Sequence, residues 1–168
     1  MANDGNWLLL CKVETRLCAL PLASVLETMR PLPIEAVSGA PDYVLGLSIV
    51  RGEPVPVVDA ARILGASGTG FERFVVLRAG GRSIALAVST VEGVRRLTGD
   101  SLTGDSGADD LADLPPLLRG ADSAAIASIG ARDADLLVVL ETVRLVPEDV
   151  FAVLEAKVAE KARKEEFA

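Results

Sequence analysis

GLSIVRGEPVPVVD, residues 46–59, holds two short apolar runs on either side of the pair Arg51-Gly52. Glycine permits the backbone angles of a tight turn, so the runs before and after Gly52 are predicted to be two strands of a hairpin. Pro54 and Pro56 exclude a helix, because proline has no amide hydrogen to donate. They also predict that the second strand lies at the edge of its sheet.

The residues after this hairpin predict a short helix. Asp59 has a side chain that can accept hydrogen bonds from the free amides of a first helical turn, and residues 60–64 are compatible with helix. Gly65 suits the left-handed residue that ends a helix. We therefore expect Asp59 and Gly65 to serve as cap and exit residue, and Gly46 and Gly52 to serve backbone geometry.

Similar apolar runs, bounded by Gly, Pro, Asp and Ser, recur outward in both directions. Their length and their Val, Leu and Ile content are typical of strands. Beyond the hairpin, the predicted strands are Trp7 to Val13, Arg16 to Leu20, Val25 to Arg30, Glu72 to Leu77, Arg82 to Val88, Val91 to Leu97, Ala124 to Ile129 and Leu136 to Leu140. From Pro147 onward the pattern becomes helical, with Val150, Leu154 and Val158 as an apolar stripe. The sequence predicts a mainly β fold with a C-terminal helix.

An internal echo divides the predicted fold into two related lobes. Residues 57–64 (VVDAARIL) match residues 139–146 (VLETVRLV) in character at every position. Each copy is a strand followed by an acidic cap, an arginine and two apolar residues, which we interpret as the same strand-to-helix ending. We expect one lobe at about 6–65, a second at about 71–147 with strands that cross between them, and a helix over 148–168.

Composition excludes several classes of function. The chain has 168 residues, half of them hydrophobic, with a net charge of −7 and no histidine. The charge disfavours nucleic-acid binding, and the lack of histidine removes Ser-His or Cys-His nucleophile pairs and imidazole metal sites. No segment approaches the roughly 20 apolar residues of a membrane-spanning helix, and no secretion signal is recognisable. We expect no cofactor, no direct membrane insertion and a cytoplasmic location.

The two cysteines, Cys11 and Cys18, lie almost symmetrically about a possible turn at Glu14-Thr15. Facing strand positions could bring them close enough for a disulfide. In a reducing compartment, free thiols that act as small buried hydrophobic groups are the favoured interpretation.

Acidic residues offer the remaining chemistry. Asp100, Asp105, Asp109, Asp110 and Asp113 cluster in a Gly- and Ser-rich stretch, but without the ligand order of a calcium loop. A small hydrolase or ligand-binding barrel that uses Asp109 and Asp110 is a separate hypothesis.

General acid-base catalysis by Asp59 and Glu141, one from each copy of the repeated pattern, is a further alternative. Capping explains both carboxylates more simply.

Residues 46–59 closely resemble the CheW family of chemotaxis coupling proteins. The resemblance extends to residues 19–22 (ALPL), to 40–44 (APDYV) and to 62–65 (RILG), in the family's order, and in all it spans about 6–147. Residues 85–91 and 139–141 are similar to family segments in a looser way. Ile49 stands where the family commonly has Asn.

The resemblance implies two five-stranded, SH3-like β-barrels that share an apolar core. It also implies a non-enzymatic scaffold that joins chemoreceptor cytoplasmic tips to the regulatory domain of the histidine kinase CheA, and recruitment to membrane-associated receptor arrays. By position, Val25, Glu27 and Arg51 look like the family's partner-facing residues.

Other interpretations of these positions remain open. Arg51 could bind acidic groups of a partner through its planar fork, or pair locally with an Asp or Glu as a turn residue. Val25 could be a plain core residue, and Glu27 an exposed strand carboxylate. The whole chain could instead be a CheW-like module of another signalling route, such as gliding or pilus control, and the looser second lobe and Ile49 motivate that alternative.

Overall fold

The structure is a computed structural model that describes residues 7–66, 70–96, 112–113, 126–132, 135–140 and 145–166. Within these ranges the chain forms strands β1 to β11 and helices α1 and α2. The strands are Trp7–Val13, Arg16–Pro21, Val25–Met29, Val44–Val50, Glu53–Asp59, Arg73–Ala79, Arg82–Val88, Thr90–Arg96, Ala112–Asp113, Ile126–Arg132 and Asp135–Leu140. The helices are Ala60–Ile63 and Glu148–Glu166.

Every predicted strand is present, with ends that differ from the prediction by up to three residues. The mainly β fold with a C-terminal helix is therefore confirmed. Asp100, Asp105, Asp109, Asp110 and Glu141 lie outside the described residues, and Asp113 belongs to β9.

The strands form two sheets of matching design. One has five strands in the order β3-β6-β7-β5-β4, and the other has six in the order β8-β1-β2-β11-β10-β9. Each sheet has an antiparallel hairpin in its middle, which is β6-β7 in the five-stranded sheet and β1-β2 in the six-stranded sheet. The second strand of each hairpin pairs in parallel with its neighbour in the sheet, so that β7 pairs with β5 and β2 pairs with β11. The sixth strand is the two-residue β9 at the outer edge. The strands that precede the two copies of the sequence echo therefore occupy corresponding places.

The break between residues 65 and 71 does not separate the strands of one sheet from those of the other. β6 and β7, which follow that break, belong to the five-stranded sheet with β3, β4 and β5. The hairpin β1-β2 opens the chain but pairs with β8 and β11 from its later part. The central hairpin of each sheet therefore comes from the opposite side of that break in the chain.

The prolines of β5 do not mark an edge strand, contrary to the prediction. β5 lies between β7 and β4. Its parallel pairing with β7 covers only Val57–Asp59, and both Pro54 and Pro56 precede that stretch. The missing amides therefore remove no donor from the β5-β7 ladder, because the first part of β5 pairs on one side only.

The main hydrophobic core lies between the two sheets. It contains residues of β1 and β2 from one sheet and of β5, β6 and β7 from the other, together with α1 and α2. Its largest fully buried members are Leu20, Leu77, Ile84, Leu86, Leu145 and Leu154. A smaller cluster, which includes Phe74, lies on the opposite face of the five-stranded sheet. β6 and β7 are thus buried on both faces, which explains their nearly continuous apolar sequences.

Helix α2 packs against this core through part of the predicted stripe. Val150, Phe151 and Leu154 are buried, whereas Val158 is half-buried. Glu148 and Asp149 occupy the first turn, where the positive end of the helix dipole stabilises their negative charges. Arg163 and Lys164 lie in the last turn, where cations are favourable. Among the described residues, no helix is long and apolar enough to cross a membrane.

Cys11 and Cys18 face each other in the register of β1 and β2. Both thiols are free and fully buried. A hydrogen bond with Cys11, together with burial, raises the pKa of the Cys18 thiol well above its usual range. Because the thiolate is the reactive form, the pair should behave as inert core groups.

We predict that a thiol-specific reagent at neutral pH labels neither cysteine in the folded protein. Both should label rapidly in denaturant, because unfolding exposes the thiols and returns the pKa of Cys18 toward its ordinary value. Mass spectrometry of the labelled chain measures this. Fast labelling of the native protein would contradict the buried placement.

Among the described glycines, Gly46 has the least room for a side chain. Its φ is +143°, and a Cβ atom placed there would lie 2.1 Å from the carbonyl oxygen of Glu35. Glu35 and Leu47 exchange two backbone hydrogen bonds of 2.8 Å, which hold the connector, residues 30–43, along the free edge of β4. A side chain at position 46 would therefore push the connector away from the sheet.

We predict that Gly46→Ala destabilises the protein by about 2–4 kcal/mol, because it adds a backbone clash to the strain of an unfavourable φ. Gly81→Ala is the matched control: Gly81 has φ +87° but no atom within 4 Å of the added Cβ. It should cost only about 1 kcal/mol, from conformation alone. Urea denaturation of both variants measures the difference, and equal losses would show that close packing at Gly46 is unimportant.

Candidate protein-interaction surface

The candidate surface is built on the turn between β4 and β5. Arg51 and Gly52 form this two-residue turn, with φ of +51° and +84°. Positive φ at both central residues is the pattern of a tight hairpin turn that matches the strand twist. Glycine adopts it freely, but arginine does so at a conformational cost, and such strained residues are concentrated at functional sites.

Arg51 forms a bidentate ion pair with Glu27 of β3. Its Nε donates to Oε1 at 2.8 Å, and its Nη2 donates to Oε2 at 2.6 Å. The arginine side chain is 77% exposed and that of the glutamate is 23% exposed. Two predicted partner-facing residues therefore lie together, and the local pairing considered for Arg51 is present.

The pairing changes the titration of both groups in opposite directions. Hydrogen bonds from Arg51 hold the pKa of the Glu27 carboxyl below its ordinary value, and the positive charge acts in the same sense. The same bonds raise the pKa of the Arg51 guanidinium. Both side chains are therefore charged at neutral pH. Since Arg51 is mostly exposed, part of its donor surface still faces solvent.

The ion pair connects opposite edges of the five-stranded sheet. β3 is one edge strand and β4 is the other, and the turn that carries Arg51 directly follows β4. Contact between these edges requires the sheet to curl strongly. Side chains 24 positions apart in the chain thus form one surface feature.

Val25 has a mixed environment. It begins β3, pairs with Leu77 of β6, and is half-buried against the main core. Much of its surface is therefore taken up by internal packing, as the alternative interpretation of this residue expects. Its neighbour Leu26 is 47% exposed, and Ile49 near the end of β4 is 60% exposed.

Sequence reasoning did not single out Leu26 as part of a surface. The register of β3 with β6 shifts between Val25 and Glu27, so strict alternation does not hold at Leu26 and the sequence pattern gave no signal for its exposure.

Two adjacent clefts open beside this turn. The larger, of about 660 Å³, lies between the connector, the β4-β5 hairpin and the C-terminal half of α2. The smaller, of about 340 Å³, lies between β5, the β6-β7 turn and the first half of α2. Leu47, Pro54 and Val158 line both. Ile49 and Gly52 line the larger cleft, which therefore reaches the turn that carries Arg51.

The remaining predicted residues have structural positions. Asp59 caps α1, because its Oδ1 accepts a hydrogen bond of 3.0 Å from the amide of Ala61. Gly65 has φ +71° directly after that helix. Within the described part of the chain, no three His, Cys, Asp or Glu side chains are grouped as a metal site requires.

A family model of the CheW-like domain matches residues 8–149, which is most of the chain and both sheets. The chain belongs to the CheW-like domain family. No curated protein gives a significant match.

Among solved structures, the CheW-like fold is matched by the crystal structure of the scaffolding protein TtCheW from Thermoanaerobacter tengcongensis. The identity is 19%, the TM-score is 0.67, and the match covers 87% of this chain and 95% of that one. The likeness supports the shared fold. Most of α2 lies beyond the range of the CheW-like family model.

We predict that Arg51→Met raises the pKa of the Glu27 carboxyl toward its ordinary value of 4.5. In the unmodified protein the pKa of Glu27 is lower in the folded state than in the unfolded state. The ion pair therefore stabilises the fold fully at pH values above the unfolded-state pKa. That contribution is lost as the pH falls through the lowered pKa. Carboxyl NMR titration of Glu27 in both proteins measures the shift.

The difference in free energy of unfolding between the two proteins should also shrink as the pH falls below 4.5, the ordinary pKa of a glutamate. An unchanged Glu27 titration in Arg51→Met would mean that the ion pair is not formed in solution.

Proposed function

We propose that this protein is a non-enzymatic scaffold of a chemosensory system, which joins chemoreceptor cytoplasmic tips to the regulatory domain of the histidine kinase CheA. The match of the CheW-like domain over both sheets is the observation that carries this proposal. The matched structure is that of a scaffolding protein, which supports the same function class. Action at membrane-associated receptor arrays, by a cytoplasmic protein, is part of the proposal.

The surface around Arg51 and Glu27 is the proposed partner-binding site. Arg51 projects from a two-residue turn, and the remaining N–H groups of its exposed side chain can donate hydrogen bonds to a second acidic group. Ile49 and Leu26 supply exposed apolar area on the two strands that carry the pair. An arginine flanked by apolar residues is a common composition for the energetic centre of an interface. Val25 contributes by holding the start of β3 against the core.

Two modest interfaces suit a scaffold better than one large one. A receptor and a kinase must bind at the same time, so each uses only part of the surface. Electrostatics then select partners: the chain carries a net charge of −7, and an exposed arginine is a local exception to that field. The overall negative charge disfavours the approach of an acidic partner, and the exposed guanidinium of Arg51 favours binding at this turn.

We predict that Arg51→Asp weakens capture of the receptor and the kinase by at least about tenfold. The tagged chain is used as bait in a lysate of the native cell under reducing conditions, with mass spectrometry as the readout. The circular-dichroism spectrum and melting cooperativity should be unchanged, because Arg51 lies on the surface. Arg78→Asp is the matched control, since Arg78 is an exposed arginine on β6 of the same sheet.

A charge swap separates recognition from internal support. In Glu27→Arg with Arg51→Glu the ion pair can re-form with its ends exchanged, but the exposed charge of the turn becomes negative. If Arg51 binds acidic groups of a partner, the double variant should stay defective. Recovered binding would show that Arg51 acts only by holding the turn to β3.

The same capture experiment tests the alternative signalling role. Ile49 is 60% exposed at a position where the CheW resemblance leads us to expect a polar side chain, which favours a partner surface of different polarity. Recovery of a kinase and receptors that serve gliding or pilus control, and not flagellar motility, would favour a CheW-like module of such a pathway.

A further inference from the structure

The two halves of α2 are attached to the protein in different ways. In the first half, Val150, Phe151 and Leu154 are buried in the main core. Arg82 of β7 also attaches this half through ion pairs with Glu148 at 2.8 Å and with Glu155 at 3.3 Å. The Arg82 guanidinium also lies 4.4 Å from the centre of the Phe151 ring. This half is held by burial and by several coupled contacts.

The second half, residues 157–164, is held mainly by charge. Lys157 and Val158 are half-buried, and the six positions that follow are exposed. Lys161 forms an ion pair with Glu35, which ties this half to the connector. The two side chains are 52% and 57% exposed, so water and salt screen their attraction.

An apolar cleft lies under this second half. Its walls are Ile34 and Val37 of the connector, Leu47 and Ile49 of β4, and Val158 of the helix. The cleft of about 660 Å³ separates the helix from the sheet where a packed contact would otherwise form. The helix therefore gains little from burial here, while its withdrawal would expose more apolar surface of β4 to solvent.

Pairs within the helix favour its helical form independently of the connector. Glu160 contacts Lys164 at 3.2 Å and Lys157 at 3.8 Å. The resulting attraction lowers the pKa of Glu160, with the hydrogen bond from Lys164 as the largest cause. Breaking the contact with Glu35 would leave these pairs in place. Only the attachment to the connector would be lost.

From this arrangement we propose that residues 157–164 form a strap, latched to the connector by the Lys161–Glu35 ion pair, which opens while the first half of α2 stays docked. Opening would leave the half-buried Leu47 more exposed, beside Ile49, which is already 60% exposed, and beside the turn that carries Arg51. The strap is thus a partial cover over the apolar cleft next to the candidate interface. It is a property of the free chain, so it does not depend on the identity of any partner.

Opening should respond to salt and to the sign of charge at position 161. The ion pair weakens as the Debye length falls from about 30 Å at 0.01 M salt to about 3 Å at 1 M salt. Burial of Leu154 and its neighbours has no such dependence, and it strengthens slightly with many salts. Salt should therefore weaken the attachment of the second half more than that of the first, where buried side chains hold the helix in addition to the ion pairs of Arg82.

Amide hydrogen exchange of the full chain tests the strap. We expect the amides of 157–164 to exchange about two- to fivefold faster at high salt and in Lys161→Glu, a range typical of an exposed ion pair. Those of 150–155 should change less at high salt, where the Arg82 ion pairs weaken but the buried side chains stay in place, and they should be unchanged in Lys161→Glu. The double variant Glu35→Lys with Lys161→Glu should restore protection at low salt.

Arg163→Glu is the matched control, because it makes the same change of charge on an exposed position of the same helix. It should have a smaller effect than Lys161→Glu. An effect of equal size, a double variant that stays unprotected, or loss of protection along the whole helix would each overturn the strap. In the last case α2 would open as one unit.

Discussion

Burial of both faces of β6 and β7 is the constraint on which the rest of this structure depends. Alternate residues of β6 enter the core between the sheets, as Val75 and Leu77 do, or the opposite cluster, as Phe74 and Val76 do. A sheet that is apolar on both faces needs two covers, because exposed apolar area is costly in water. The six-stranded sheet and α2 cover one face. Apolar residues of the connector cover part of the other.

This covering positions the candidate surface. The connector leaves β3, passes over the second cluster and bonds to the edge of β4 through Glu35 and Leu47. The two edge strands are thereby brought near each other, and Glu27 meets Arg51 across the gap. Gly46 lies beside the contact between the connector and β4 and leaves no room for a side chain there. An exposed ion pair contributes little stability, so the arrangement of the pair results from the packing beneath it.

The same connector links the surface to α2. Its Glu35 meets Lys161, and Gly39 lies close to Val153 of the helix. A segment without regular secondary structure therefore contacts both the edge of the sheet and the C-terminal helix. This gives the helix, most of which lies beyond the matched family range, a physical connection to the proposed function.

Local sequence pattern accounts for the strands, the short helix after Asp59 and the C-terminal helix. These depend on local pattern: β7 is the apolar run between a glycine turn and Ser89, and its bounds were predicted at Arg82–Val88. The family resemblance also came from sequence, because its motifs are continuous in the chain. It pointed to Val25, Glu27 and Arg51.

Tertiary structure decided which strands lie side by side. Pro54 and Pro56 suggested an edge strand, yet β5 is internal, because strand order depends on pairing between distant segments and the β7 ladder begins only at Val57. The exchange of central hairpins between lobes, the Glu27–Arg51 contact and the latch between Lys161 and Glu35 have the same origin. Each joins residues far apart in the chain, and no local pattern encodes the distance between them once the sheets have folded.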